Sequence, residues 1–242
     1  MVKTIGIIVQ AHMGSTRLSG KVLKDLCGKP ELWHIVERLR NVKLADRLII
    51  ATSDLKNDDA IEEFCQQNEV DFFRGSDDDV LSRFYHAAEN FNLTDIVRIC
   101  SDNTLLDWEI IDKEIKLYLH NDYDIVTSGY GVPLGLGGEV FSFEYIKMAY
   151  ENAVEHYQHE HVTPYIYENA KKIYKYSLKN DYSDYRLTLD TPEDWELVQK
   201  IYGELFKGKH DFLLDDIVKI MEENPEWKKI NALVKQKSVK DD

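Results

Sequence analysis

The chain has 242 residues, 43% of them hydrophobic, and its 30 Lys and Arg face 44 Asp and Glu, which gives a net charge of −14 at pH 7. This length suits one large α/β domain spanning residues 1–242, and the negative charge argues against a protein held broadly on nucleic acid or on an anionic membrane. The three cysteines are far apart, so neither a disulfide framework nor a zinc cluster is predicted. With no signal peptide and no apolar run near 18 residues, we expect a cytoplasmic protein.

Strands and helices alternate through the first half of the sequence. Apolar runs predict strands over residues 5–9, 47–51, 70–73, 95–100 and 123–127. Helical spacing of apolar residues predicts helices after Pro30, over 58–68, within 74–91 and over 107–120. This order predicts a Rossmann-like α/β/α sandwich with a doubly wound, mostly parallel central sheet.

From Ser128 the sequence becomes rich in glycine, and we expect an excursion over about 128–184 that forms a small inserted lobe. Within it we predict a short strand over 139–141, helices over 143–156 and 161–169, and an edge strand over 172–178. A last strand over 185–189 and a helix over 191–205 should follow. The polar end of the chain, 235–242, is predicted to fray.

Polar clusters follow several of the predicted strands, beginning at Gln10, Thr52, Arg74 and Ser101. Ligands of doubly wound proteins bind beyond the carboxyl ends of the parallel strands. We therefore predict a binding site at this edge of the sheet.

The loop after the first strand carries small residues and two cations, Arg17 and Lys21. Free backbone N–H groups in such a loop can bind an oxyanion, and Arg and Lys side chains can neutralise phosphate. The spacing fits neither GxxxxGK[ST] nor GxGxxG. Spacing alone supports equally a flexible loop whose cations are only solvated.

The same loop, QAHMGSTRLSGKVL at 10–23, resembles the QARxxSTRLPGKxL loop of cytidylyltransferases that activate acidic sugars. The closest branch is the spore-coat polysaccharide biosynthesis type, related to the CMP-KDO and CMP-acylneuraminate synthetases. The resemblance implies that the loop binds the CTP triphosphate through Gln10, Ala11, His12, Gly14, Ser15, Thr16, Arg17 and Lys21. His12 stands where the family usually has Arg, and it would be a weaker, pH-dependent cation.

Asp102 and Asp190 each follow a predicted strand, where they could share a divalent metal or simply cap the next helix. The segments RICSDNTLLD at 98–107 and RLTLDTPEDWELV at 186–198 resemble the family's R(L/I)TxDxPLxD and RxTxDTPEDxxLV segments. The resemblance implies that Asp102 and Asp190 hold a catalytic Mg²⁺. It also puts Ser101 on the nucleotide side and Asn103 on the acceptor side.

Further segments extend the resemblance. RGSDDDVLSRFY at 74–85 resembles RGSEDDVLxRYY, which implies nucleotide binding by Arg74 and Arg83, although Arg83 could instead pair with Asp79 on the same helix. Ala51, Thr52 and Ser53 resemble a turn whose backbone reads the cytosine edge. Glu139, His161 and Tyr165 match family segments that are expected to line the acceptor side. A capped helix start explains the segment with His161 and Tyr165 equally well.

The resemblance therefore implies a Mg²⁺-dependent cytidylyltransferase with the nucleotide-diphospho-sugar transferase fold. Its expected partners are CTP and a small acidic acceptor, with no nucleic acid or membrane, and a homodimer formed through the 128–184 excursion. Two alternatives stay open. One is a glycosyltransferase that uses a finished nucleotide-sugar, and the other is a non-catalytic nucleotide-binding or scaffold protein.

Overall fold

The computed structural model describes residues 3–237. Its strands are β1 (Ile5–Gln10), β2 (Asp25–Leu26), β3 (Lys29–Pro30), β4 (Arg47–Ser53), β5 (Asp71–Gly75), β6 (Asp95–Cys100), β7 (Ile125–Ser128), β8 (Glu139–Ser142) and β9 (Ile173–Tyr176). Its α-helices are α1 (Glu31–Leu39), α2 (Asp59–Gln67), α3 (Val80–Asn90), α4 (Trp108–His120), α5 (Phe143–Asn152), α6 (His156–His161), α7 (Pro164–Asn169), α8 (Pro192–Leu205) and α9 (Leu214–Glu223).

The central sheet has the strand order β5-β4-β1-β6-β8-β7-β9. β1 pairs in parallel with both β4 and β6, so that Gln10 is the register partner of Ala51 on one side and of Cys100 on the other. The edge strand β5 pairs in parallel with β4, and the edge strand β9 pairs in parallel with β7. In contrast, β8 runs antiparallel to both of its neighbours, β6 and β7. The predicted doubly wound, mostly parallel sheet is confirmed.

Helices cover both faces of this sheet because successive side chains of a strand point to opposite sides. Ile7 packs with apolar residues of α1, α2 and α4. Its neighbour Ile8 packs with those of α3, α5 and α7 on the other face. Both isoleucines are almost fully buried, as expected for the apolar run of a central parallel strand. The result is the predicted α/β/α sandwich.

The prediction of a last strand over 185–189 is wrong. Leu187 and Leu189 are buried, which explains the alternating pattern, but they pack in a third cluster with α8 and α9. Their N–H groups donate to two separate partners, the carbonyl of Leu134 at 3.2 Å and the carbonyl of Asp102 at 2.8 Å. The segment therefore makes only an isolated bridge, between Leu134 and Arg186.

The helices of the excursion also differ from the prediction. The helix expected over 143–156 ends at Asn152, and α6 is a separate short helix. Val162 has a φ of 69°, which breaks the helical path between α6 and α7. The edge strand is confirmed as β9, and α9 was not predicted.

No helix within residues 3–237 combines the length and the apolar character needed to cross a bilayer. The predicted frayed end is described only in part, since residues 238–242 lie outside the described residues. Residues 236 and 237 do not extend away from the fold but contact the cleft described next.

Candidate active site

A cleft of about 590 Å³ opens at the carboxyl ends of β1 and β6. One wall is the loop after β1, another is the start of α3, and α6 faces them. The predicted site residues that line the cleft are Gln10, Ala11, His12, Gly14, Ser15, Thr16, Arg17, Lys21, Arg83, Ser101, Asp102, His161 and Asp190. Those outside its lining are Ala51, Thr52, Ser53, Arg74, Asn103, Glu139 and Tyr165.

The loop after β1 is fixed at both ends by hydrogen bonds. The Met13 N–H donates to the buried carboxylate of Asp58 at 2.7 Å, and the Ser53 hydroxyl donates to the same carboxylate at 2.5 Å. At the far end, the Gly20 N–H donates to the Met13 carbonyl at 3.2 Å, and the left-handed φ of Gly20, 64°, permits this turn. Thr52 and Ser53 are fully buried, and Ser53 supports the loop through its hydrogen bond to Asp58.

The two cations of the loop converge on Asp190. Arg17 Nη2 lies 3.0 Å and Lys21 Nζ 3.3 Å from Asp190 Oδ1. Lys21 is itself buried and donates to the Leu189 carbonyl at 2.6 Å. On the opposite side, Arg186 Nη2 lies 2.7 Å from Asp190 Oδ2. Within the described chain, three cations therefore contact this one carboxylate.

Asp102 lies beside Asp190 because the Leu189 N–H donates to the Asp102 carbonyl at 2.8 Å. Burial raises the pKa of Asp102; Lys21 opposes this shift, and the Asp190 carboxylate adds to it. Two electrostatically coupled carboxylates in one cleft are a donor set that suits Mg²⁺, which takes oxygen ligands and usually completes its shell with water and substrate phosphates. Among residues 3–237 there is no cluster of three or more His, Cys, Asp or Glu ligands, so a metal here would also need such outside ligands.

Arg83 is only 4% exposed, and its Nε and Nη1 atoms are buried without a hydrogen-bond partner. The alternative pairing with Asp79 is not observed, because Asp79 Oδ2 lies 3.1 Å from His159 Nδ1 and Oδ1 accepts from the Ser82 N–H at 2.8 Å. Burial lowers the pKa of Arg83, and nearby Asp77 opposes this shift. Buried polar donors are normally satisfied, so a guanidinium with two unfilled donors beside a cleft indicates an anionic ligand.

Two other cleft residues differ in what they can do chemically. Burial lowers the pKa of His12, against the opposing effect of Asp58, so its imidazole is neutral at pH 7. Burial also raises the pKa of the Cys100 thiol to about 12, which keeps it protonated and unreactive.

Arg74 is turned away from the cleft. It forms ion pairs with Asp59 at 2.8 Å and Glu62 at 2.7 Å, and its Nε donates to the Ser53 carbonyl at 3.0 Å. Asn103 likewise points elsewhere and donates to the Gly137 carbonyl at 3.3 Å. Tyr165, in α7, packs against the apolar core.

Glu139 lies behind the cleft wall rather than in it. Its carboxylate accepts from Arg98 Nη1 at 2.6 Å, from the Tyr167 hydroxyl at 2.6 Å and from Thr163. Arg98 does line the cleft, and its Nε donates to Gln10 Oε1 at 3.2 Å. Glu139 therefore orients Arg98.

Sequence reasoning did not single out several residues that line the cleft, namely Asp77, Asp78, Val80, Arg98, Cys100, His156, Glu160, Gln236 and Lys237. Arg98 had a usable signal, because it begins the RICSD segment that carries Asp102. Gln236 and Lys237 had none, because their place depends on how the described residues after α9 pack.

Comparison with known proteins identifies the family. A family model described as cytidylyltransferase matches residues 6–239. The spore coat polysaccharide biosynthesis protein SpsF of Bacillus subtilis is 34% identical over 231 residues, which cover 90% of this chain and 94% of that protein.

Solved structures agree with the fold. A cytidylyltransferase from Leptospira borgpetersenii superimposes with a TM-score of 0.89 at 30% identity, over 98% of this chain and 100% of that one. A CMP:2-keto-3-deoxy-manno-octonic acid synthetase solved with CTP superimposes with a TM-score of 0.64 at 14% identity, over 84% of this chain and 99% of that one, which supports the nucleotide-diphospho-sugar transferase fold. The predicted resemblance is confirmed: this chain belongs to the cytidylyltransferase family, and it is a nucleotidyltransferase.

Proposed function

We propose that this protein transfers CMP from CTP to a small acidic acceptor, either a sugar acid or a phosphorylated compound, and that a bound Mg²⁺ assists the transfer. The observation that carries the proposal is the meeting of Arg17 and Lys21 with Asp102 and Asp190 in one cleft. The solved synthetase that shares the fold was determined with CTP, which supports CTP as the nucleotide.

In this reaction an acceptor oxygen attacks the α-phosphorus of CTP, the bond to the β-phosphate breaks, and pyrophosphate leaves. Catalysis of such a transfer consists mainly of positioning and of neutralising charge. Arg17 and Lys21 would hold the β- and γ-phosphates and stabilise the departing pyrophosphate. Asp102 and Asp190 would hold the Mg²⁺, which supplies further neutralisation of phosphate charge when bound.

Arg83 would be a further phosphate ligand, because its buried Nε and Nη1 atoms have no partner within the protein. A charge-assisted hydrogen bond from each of these donors would offset the cost of burying the guanidinium. Its position at the start of α3, across the cleft from the loop after β1, suits a ligand that spans the two walls.

The acceptor would bind on the side of the cleft formed by α6 and β6. His156, Glu160, His161 and Arg98 line this side. Such a mixed set suits an acceptor that has both hydroxyl groups and an anionic group. Glu139 would contribute by orienting Arg98 rather than by touching the acceptor.

We also propose a homodimer with the 128–184 excursion at its interface. Large apolar side chains are exposed there, among them Tyr130 at 62% and Val154 at 82%, with Leu134, Tyr150 and Ile173. Exposed apolar surface of this kind marks interaction sites when it is contiguous. Sedimentation equilibrium would test this, and a monomer at micromolar concentration would contradict it.

The reaction is tested by pyrophosphate release with CTP, Mg²⁺ and a panel of sugar acids and phosphorylated acceptors. ATP, GTP and UTP serve as nucleotide controls, and the Asp102→Asn variant as the inactive control. We expect release with CTP and one class of acceptor only. CMP formation from a CMP-sugar without any pyrophosphate release would favour a glycosyltransferase, and a protein that binds no CTP would contradict the proposal.

A further inference from the structure

The segment after α9 returns to the cleft at residues 236 and 237, which belong to the stretch 235–242 that was predicted to fray. Gln236 and Lys237 line the cleft together with Arg17 and Asp190. The family model also extends over this segment, since its match runs to residue 239. Residues 236 and 237 are thus next to the site rather than remote from it.

Two side chains of this segment, those of Asn231 and Gln236, bind Arg186, whose guanidinium forms an ion pair with Asp190. Asn231 is only 4% exposed, and its Nδ2 donates to the Arg186 carbonyl at 3.0 Å and to Asp194 Oδ1 at 2.8 Å. Five residues later, Gln236 Oε1 accepts from Arg186 Nη1 at 2.5 Å. Because Arg186 contacts Asp190, and Asp190 contacts Arg17, these hydrogen bonds set Lys237 at the end of the cleft where the loop cations lie.

From this position we infer that Lys237 is a further phosphate-binding residue, which contacts the β- and γ-phosphates of CTP. The inference rests on the proposed function. In a chain of net charge −14, a cation held at this edge of the cleft is of use to a ligand with several negative charges close together. A lysine suits this place because its ammonium is a mobile point charge that needs no fixed geometry.

Lys235 provides a matched control. It lies two residues earlier on the same segment, is exposed to solvent and does not line the cleft. Lys237→Ala and Lys235→Ala therefore remove the same charge from the same part of the chain, and both changes are at exposed positions that should not affect folding. If Lys237 acted only through general electrostatic attraction, both variants would weaken CTP binding about equally, whereas a direct contact would be lost in Lys237→Ala alone.

The test is titration calorimetry of the full-length protein with CTP and with CMP, in the presence of Mg²⁺. We expect Lys237→Ala to raise the Kd for CTP about two- to fivefold at low ionic strength, the range for a partly exposed ion pair, and Lys235→Ala to leave it unchanged. The Kd for CMP should stay the same in both variants, since CMP lacks the β- and γ-phosphates. The CTP effect should shrink at high salt.

Equal CTP affinities of the two variants would overturn the inference, and so would an equal weakening of CTP and CMP. If the unmodified protein binds no CTP, the proposed function fails, and this inference fails with it. The comparison between variants thus separates the role of Lys237 from the identity of the nucleotide.

Discussion

Arg17 and Asp190 are paired with each other, with Arg17 Nη2 3.0 Å from Asp190 Oδ1. One is the proposed ligand of the triphosphate and the other is the proposed ligand of the metal. Lys21 shares the same carboxylate oxygen at 3.3 Å. The nucleotide phosphates must therefore replace Asp190 as the partner of Arg17 and Lys21, and the metal must replace these two cations as the partner of Asp190. This exchange is favourable when the nucleotide and the metal bind together, because each charged side chain then keeps a partner of opposite charge.

This pairing predicts that removing the charge of Asp190 strengthens CTP binding more than removing the charge of Asp102 when no metal is present. Asp190→Asn would release Arg17 and Lys21, so we expect tighter binding of CTP in EDTA, by about three- to tenfold. Asp102→Asn removes the same charge without releasing either cation, so its gain should be smaller. Calorimetric Kd values in EDTA for the two variants and the unmodified protein measure this.

Both variants should lose the strengthening of CTP binding by Mg²⁺, because each lacks one proposed metal ligand. Equal gains in EDTA would mean that the carboxylates only repel the nucleotide. Buried Lys21 also loses a partner in Asp190→Asn, so circular dichroism should first establish that this variant is folded.

Arg83 offers a test in which activity should fall without any loss of stability. Its Nε and Nη1 are buried without partners, a cost that the fold bears in the absence of a ligand. We expect Arg83→Met to lower kcat/KM for CTP about 30- to 100-fold, the value of one strong charge-assisted contact, and to leave the unfolding temperature unchanged or raised.

Arg74→Met is the matched control for Arg83. This variant also replaces an arginine by methionine, but outside the cleft, where Arg74 forms surface ion pairs with Asp59 and Glu62. It should therefore leave activity near that of the unmodified protein. A large loss of activity in Arg74→Met would restore the nucleotide-binding role that the resemblance implied. A loss of stability in Arg83→Met would show that Arg83 supports the fold instead.

The strand-end residues were predictable from sequence because their position follows from local pattern. β1 is apolar up to Val9 and β6 is mostly apolar, and Gln10 and Asp102 come where these strands end, so the sheet brings them together. Asp190 was found through its motif, although the segment before it is not a strand. What settles its position is a backbone hydrogen bond from Leu189 to Asp102, which no periodicity reveals.

Residues that reach the cleft through long-range packing were not predictable. Glu160 depends on the break at Val162 that orients α6, and Gln236 depends on its bond with Arg186. Glu139 shows the converse. Its motif was recognised, but the sequence could not show that Arg98, Thr163 and Tyr167 already surround its carboxylate.

His12 gives a prediction of pH dependence. Burial lowers its pKa from 6.5, so the imidazole is neutral at pH 7.5 and gains a proton only as the pH falls below 6.5. We expect His12→Arg to tighten CTP binding about fivefold at pH 7.5, because it adds a permanent cation. The ratio of the Kd of the unmodified protein to that of His12→Arg should fall towards one as the pH is lowered below 6.5, because the histidine of the unmodified protein then gains its proton.

Taking this ratio at each pH removes the titration of CTP itself, since both proteins meet the same nucleotide. A ratio of one at all pH values would show that His12 does not contact the phosphates. A constant ratio different from one would show an effect of the arginine on the loop rather than of charge.

Glu31 gives a prediction about stability. It is fully buried, Thr104 Oγ1 donates to its Oε1, and its Oε2 has no partner; burial raises its pKa to about 8 from an ordinary value of 4.5. The folded state thus keeps this proton where the unfolded state releases it. The contribution of Glu31 to stability is therefore fully present below pH 4.5, and it declines as the pH rises to about 8.

Glu31→Gln keeps the acceptor for Thr104 and cannot ionise. We expect its free energy of unfolding, relative to that of the unmodified protein, to rise steadily between pH 5 and pH 8 and then to level off. Urea unfolding at pH 5, 6, 7 and 8 measures this difference, and the other titrating groups cancel because the two proteins share them. A difference that is constant with pH would mean that Glu31 ionises equally in the folded and unfolded states, in which case burial would not control its charge.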